Sequence, residues 1–158
     1  MNSKKRILVA PLDWGLGHAS RCVPIAKALE KEGYELVFAA SGRPLKLLIQ
    51  EFPKNDFIKV EGYNISYPKN GQMALSMLSQ LFKIWKGIRQ EHKQLQQIID
   101  DYNIDGVISD NRYGLHSKKV PCVFVTHQLQ IQSPIFSETL QKINFKYIQK
   151  FDECWVPD

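Results

Sequence analysis

The chain has no stretch approaching the roughly 20 consecutive apolar residues of a membrane-spanning helix, and no secretory leader pattern at its start. The expectation is a cytoplasmic chain, with the inner face of the membrane as an alternative place for it. Cysteine is scarce. Cys22, Cys122 and Cys154 are an odd number at spacings that fit neither a zinc knuckle nor a disulfide framework. Each sits among apolar neighbours and is expected as a small core residue in a reducing compartment. A strong charge bias is also missing: 21 Lys plus Arg against 16 Asp plus Glu leave a formal net charge of +5. The only dense basic cluster, Lys4-Lys5-Arg6, reads as a solvated terminus, so no nucleic-acid partner is expected. There is no internal repeat and no low-complexity tract.

Two more absences concern the turn Leu12 to Arg21, which carries Gly15, Gly17 and His18. The third glycine of the dinucleotide fingerprint is missing, and Ala39, Ala40 and Ser41 stand where the second strand would offer an acidic ribose ligand. No Gly-Lys-Ser/Thr follows the glycines, which excludes a Walker-type phosphate loop.

What is present is a strand-helix alternation. With 158 residues and 44% hydrophobic content, the chain reads as one domain, 1–158. Arg6 to Pro11 and Glu35 to Ala40 are apolar runs without alternation, as expected for strands covered on both faces. Ser20 to Glu32 has one apolar helical stripe and is stopped by Gly33, and Pro24 is expected in its first turn, with the helix starting near Ser20 or Arg21. Pro44 marks the first turn of a short helix through about Gln50. Phe57 to Val60 gives a third strand, and Glu61 to Gly71 is loop-like, with Tyr63 and Tyr67.

A long helix is expected from Met73 to Asp101, with Leu78, Leu81, Trp85, Ile88, His92, Leu95 and Ile99 as its core stripe. Its first half carries further apolar residues interleaved with Lys83 and Lys86. That surface is either wide burial or a patch for a membrane or partner, through Met73, Met77, Phe82 and Trp85. Gly106 to Ser109 and Cys122 to Thr126 are strands, Pro134 to Phe151 is helical, and Glu153 to Val156 is a short sixth strand. The fold class is α/β: a Rossmann-like three-layer domain with a mostly parallel sheet of about six strands.

In such a sheet ligands lie outside the carboxyl ends of the strands. Three polar groups should share that rim: the Gly15-Leu16-Gly17-His18 turn, Asp110-Asn111-Arg112, and Thr126-His127-Gln128. Glycines let a ligand approach the backbone closely, and the helix N-terminus favours an anion. His18 is either a structural cap or a general base whose tautomer a carboxylate would fix, and Asp110 is the obvious partner, or else a helix cap. Arg112 and His127 would bind an anionic substrate group or pair with surface carboxylates.

The run from Arg6 to Ala26 with Gly15-Leu-Gly-His18 inside it, the run Val107-Ile-Ser-Asp-Asn-Arg-Tyr-Gly-Leu115, Phe124-Val-Thr-His-Gln-Leu129 and Asp152 to Asp158 together resemble the amino-terminal half of a bacterial GT-B glycosyltransferase. The group is related to glycosyltransferase family 28, the lipid II synthase family. The resemblance implies one half of a GT-B fold that binds the acceptor, a sugar or lipid-linked molecule. Its partner would be a carboxyl-terminal donor-binding domain absent from this chain, which alone would be inactive. It further implies an inverting transfer from a nucleotide-sugar, with Gly15, Leu16, Gly17, Arg21, Asn111, Arg112 and His127 around substrate, His18 as base and Asp110 as its partner. No metal and no cofactor is expected beside the nucleotide-sugar co-substrate. His18-Ala-Ser-Arg21-Cys22 also resembles the His-x-x-Arg-Cys of nucleotide-sugar hydrolases of this fold, in which water replaces the acceptor.

Overall fold

The computed structural model describes residues 4–62, 73–127 and 137–157, with the side chains of 73–81 and 137 outside that description. The chain runs β1 (Arg6–Pro11), α1 (Leu16–Lys31), β2 (Glu35–Ala40), α2 (Gly42–Glu51), β3 (Asp56–Lys59), α3 (Met73–Tyr102), β4 (Gly106–Asp110), β5 (Cys122–Val125), α4 (Ser137–Ile148) and β6 (Glu153–Trp155). The six strands form one parallel sheet in the order β3-β2-β1-β4-β5-β6.

The absence of alternation in the central strands has its cause here, since both faces are covered. Leu8, Ala10, Val37, Ala39 and Val107 point to one side and pack with Leu95 and Ile99 of α3 and Ile148 of α4. Val9, Leu36, Phe38 and Ala40 point to the other and pack with Cys22 and Ala26 of α1 and Leu48 of α2. Burying a leucine such as Leu8 or Leu95 contributes about 1.5–3 kcal/mol. Because β1 lies between β2 and β4, the strand order reverses beside it, and the register sets Pro11 opposite Asp110. A crevice opens at the carboxyl ends of β1 and β4, the position where open α/β sheets bind ligands.

Three expectations are corrected. Helix α1 starts at Leu16 rather than near Ser20, so Pro24 lies inside it. The positive φ of Gly15, 103°, turns the chain early enough for a full turn before Ser20. The bond that Pro24 cannot make would go to the carbonyl of Ser20, an exposed residue. On α3 the expected core stripe holds at Ile88, Leu95 and Ile99, but Trp85 leaves it at 44% exposed, and Glu91, 3% exposed, joins the inner face with Ile98. Cys22 and Cys122 are buried as expected, but Cys154 is exposed on the edge strand β6. Helix α4 is described over Ser137–Ile148; Pro134 to Phe136 of the expected helix lie outside the described residues, as do Tyr63, Tyr67, Gln128, Leu129 and the side chains of Met73, Met77, Leu78 and Leu81.

Candidate active site

The crevice is built around a carboxylate. Asp110 ends β4 with its side chain fully buried, where an unpaired charge would cost several kcal/mol. Its partners come from one face of α1, because positions three and four residues apart share a face. The Arg21 Nε donates to Asp110 Oδ2 at 2.7 Å, and Arg21 Nη2 donates to Oδ1. His18 Nδ1 lies 3.1 Å from Oδ1, and the Cys22 thiol donates to Oδ2 at 3.7 Å. The hydrogen bond to Asp110 raises the pKa of Arg21 against the opposing effect of burial. Burial, then the neighbouring Asp110 charge, push the Cys22 thiol well up, which makes it an inert donor rather than a nucleophile.

Arg21 also reaches sideways. Its Nη1 lies 2.6 Å from Nδ1 of His127, just beyond β5, and its Nη2 lies 2.8 Å from Nδ1 of His18. A guanidinium has no lone pair, so at each of these contacts it can only donate. His18 Nδ1 therefore has two choices. If it carries the proton and donates to Asp110, Nε2 keeps a lone pair toward the crevice. If it accepts from Arg21, the proton sits on Nε2 and the ring becomes a donor there. One residue thus sets which chemistry His18 presents.

Of the residues expected at the rim, the structure brings together His18, Arg21, Asp110 and His127. Gly15, Leu16 and Gly17 are exposed where the chain enters α1; the Gly15 amide donates to the Asp13 carbonyl at 2.9 Å, while the Leu16 and Gly17 amides lie in the first turn of the helix, which gives them no partner of its own. Asn111 adopts φ 57° and leaves its buried Oδ1 without a partner. That left-handed residue turns the chain so that Arg112 leaves the rim, and of its two expected roles the structure shows the pairing with a carboxylate, buried rather than at the surface. Arg112 is 0% exposed, with Nε donating to Glu91 Oε1 at 2.8 Å, and Nη2 donating to the carbonyl of Glu61 at 2.9 Å. It has no face left for substrate.

Sequence reasoning passed over two residues. Asp13 accepts from Ser41 Oγ at 2.7 Å and from the Gly62 amide at 3.0 Å, tying the turn after β1 to the chain beyond β2 and β3. A side chain at position 62 would overlap the Asp13 carboxylate. The signal was its place directly after the first strand, in the same turn as His18. Glu91 was the other, and an acid three residues after Ile88 and four before Leu95 was its signal.

A six-stranded parallel sheet with a polar cluster at its switch point defines a Rossmann-like domain of the kind found in GT-B glycosyltransferases. The chain belongs to the family described as glycosyl transferase family 1, whose sequence profile matches residues 5–150. It is 27% identical over 139 residues to an uncharacterized glycosyltransferase of Methanosarcina acetivorans, covering 80% of this chain and 33% of that protein. It is equally similar to one of Methanosarcina mazei, at 27% over 139 residues, covering 34% of it. The chain thus spans about a third of the curated relatives it matches.

Among solved structures it resembles MurG of Acinetobacter baumannii (TM-score 0.58, 14% identity, covering 98% of this chain and 41% of that one). It also resembles a glycosyltransferase from Rickettsia africae (TM-score 0.54, 20% identity, 91% and 35%) and Arabidopsis thaliana UGT89C1 complexed with quercetin (TM-score 0.63, 10% identity, 99% and 44%). At these identities the likeness is one of fold.

Proposed function

We propose that this chain is the acceptor-side half of an inverting glycosyltransferase, and that the observation carrying this reading is His18 Nδ1 at 3.1 Å from the buried Asp110 Oδ1. In the reactive tautomer Asp110 holds the Nδ1 proton and Nε2 takes the proton of an acceptor hydroxyl. The acceptor oxygen bonds to the anomeric carbon as that carbon's bond to the diphosphate oxygen breaks, and the nucleoside diphosphate leaves with the electron pair. The first-turn amides of Leu16 and Gly17 are suited to the growing negative charge. A second, donor-binding domain supplies the nucleotide-sugar, so the chain alone is expected to turn over no donor.

In the full-length enzyme, His18→Ala is expected to lower kcat by about 10²–10⁴ with the melting temperature little changed. Near-normal turnover in steady-state assays would remove His18 from the role. The same loop would serve hydrolysis if water replaced the acceptor, and release of free sugar from donor alone separates that reading.

The first half of α3 favours an additional peripheral membrane contact: Phe82 and Trp85 are 62% and 44% exposed beside exposed Lys83 and Lys86. No helix among the described residues is long and apolar enough to cross a membrane.

A further inference from the structure

On the face of the sheet opposite α1, a cavity of about 880 Å³ lies between α3, α4 and the chain after β4. Its lining includes Lys86, Arg89, Lys93 and Lys150, and no carboxylate. The one acid on this stretch of α3, Glu91, is turned inward to Arg112. Among the described residues none of the four cations is paired with a carboxylate. Two of them are held against the wall by rings, Arg89 at 4.7 Å over Trp85 and Lys150 at 4.6 Å over Tyr147.

His92 and His116 stack at 4.4 Å in the same lining, and the buried Nδ1 of His92 has no partner. Burial, then the neighbours His92 and Lys150, lower the pKa of His116 to about 4, so its ring is uncharged at neutral pH. A concave wall of one charge sign concentrates the field and draws in counter-charge.

We propose that this cavity is an anion site that takes a phosphate or diphosphate group, held by Lys86, Arg89, Lys93 and Lys150. It is separate from the crevice at His18, since α1 lies on the other face of the sheet, and it stands independently of the transfer reading. A bound anion would lie against Lys150, whose charge acts on His116, so the His116 ring reports on occupancy.

The test is titration of the chain with inorganic pyrophosphate, followed by calorimetry and by the imidazole proton shifts of His116. Saturable binding is expected, weakened at least tenfold in Lys93→Glu/Lys150→Glu and in the independent variant Lys86→Glu, and unchanged in His18→Ala. A parallel arm uses phosphatidylglycerol vesicles against phosphatidylcholine vesicles to separate a lipid headgroup from a free phosphate as the source. Binding to the anionic vesicles alone, lost in both variants and accompanied by the His116 shift, supports the site with a lipid as its source. Absence of binding in both arms, or binding indifferent to the two folded variants, overturns the proposal.

Discussion

Two buried carboxylate–guanidinium pairs lie within this fold, and they differ in what surrounds them. Glu91 and Arg112 are sealed between α3 and the chain after β4, and the guanidinium is further bonded to backbone carbonyls. Asp110 and Arg21 sit at the crevice, with two imidazoles as the further neighbours, and Arg21 keeps part of its side chain in solvent. A guanidinium bonded only to a carboxylate and carbonyls has one arrangement available. A guanidinium against imidazoles has several, because each ring can move its proton. The first pair therefore fixes structure, and the second is suited to chemistry.

Breaking each pair tests that contrast. The largest stability effect is expected from Arg112→Met, which strands Glu91 as a buried charge and should cost about 3–5 kcal/mol in denaturant unfolding. Adding Glu91→Leu should restore most of it, since a sealed ion pair is replaceable by apolar side chains. No such second substitution should restore transfer once Asp110 or His18 is lost in the full-length enzyme.

A smaller effect is expected from Arg21→Lys. The ammonium keeps the charge but cannot match the planar fork, so about 1.5–3 kcal/mol of charge-assisted bonding is lost. Nitrogen-15 spectra should then show the His18 proton moving to Nδ1 against Asp110, whereas unaltered tautomers of His18 and His127 would mean that Arg21 does not set them.

The smallest effect is a pH slope that belongs to neither pair. The folded chain holds the pKa of His116 at about 4, below its ordinary value of 6.5. Between these values the unfolded chain binds a proton that the folded one refuses, so stability is full above about pH 6.5 and declines as pH falls toward 4. His116→Gln should flatten that part of the stability curve.

The sheet was readable because buried parallel strands leave continuous apolar runs, and the crevice because strand ends converge. Arg112 was not, since its departure from the rim depends on the φ of one preceding asparagine. Glu91 was hidden by its type: a charged residue on an inner stripe is legible only once its partner is known. Trp85 misled for the opposite reason, an apolar side chain at stripe spacing that the helix turns outward. Proline rules placed the start of α1 too late because an exposed carbonyl can do without its helical donor.

The central strand has one more consequence, for the order of events as the chain acquires its shape. Strand β1 can join β2 across the single crossover through α1, but its other edge waits for β4, and the contact between His18 and Asp110 spans 92 residues. Closing so long a loop is entropically costly and slow relative to local pairing. The amino-terminal layers can therefore assemble while the crevice does not yet exist. The His18–Asp110 contact arises only when the second half of the sheet docks, which makes it a late reporter of completed folding.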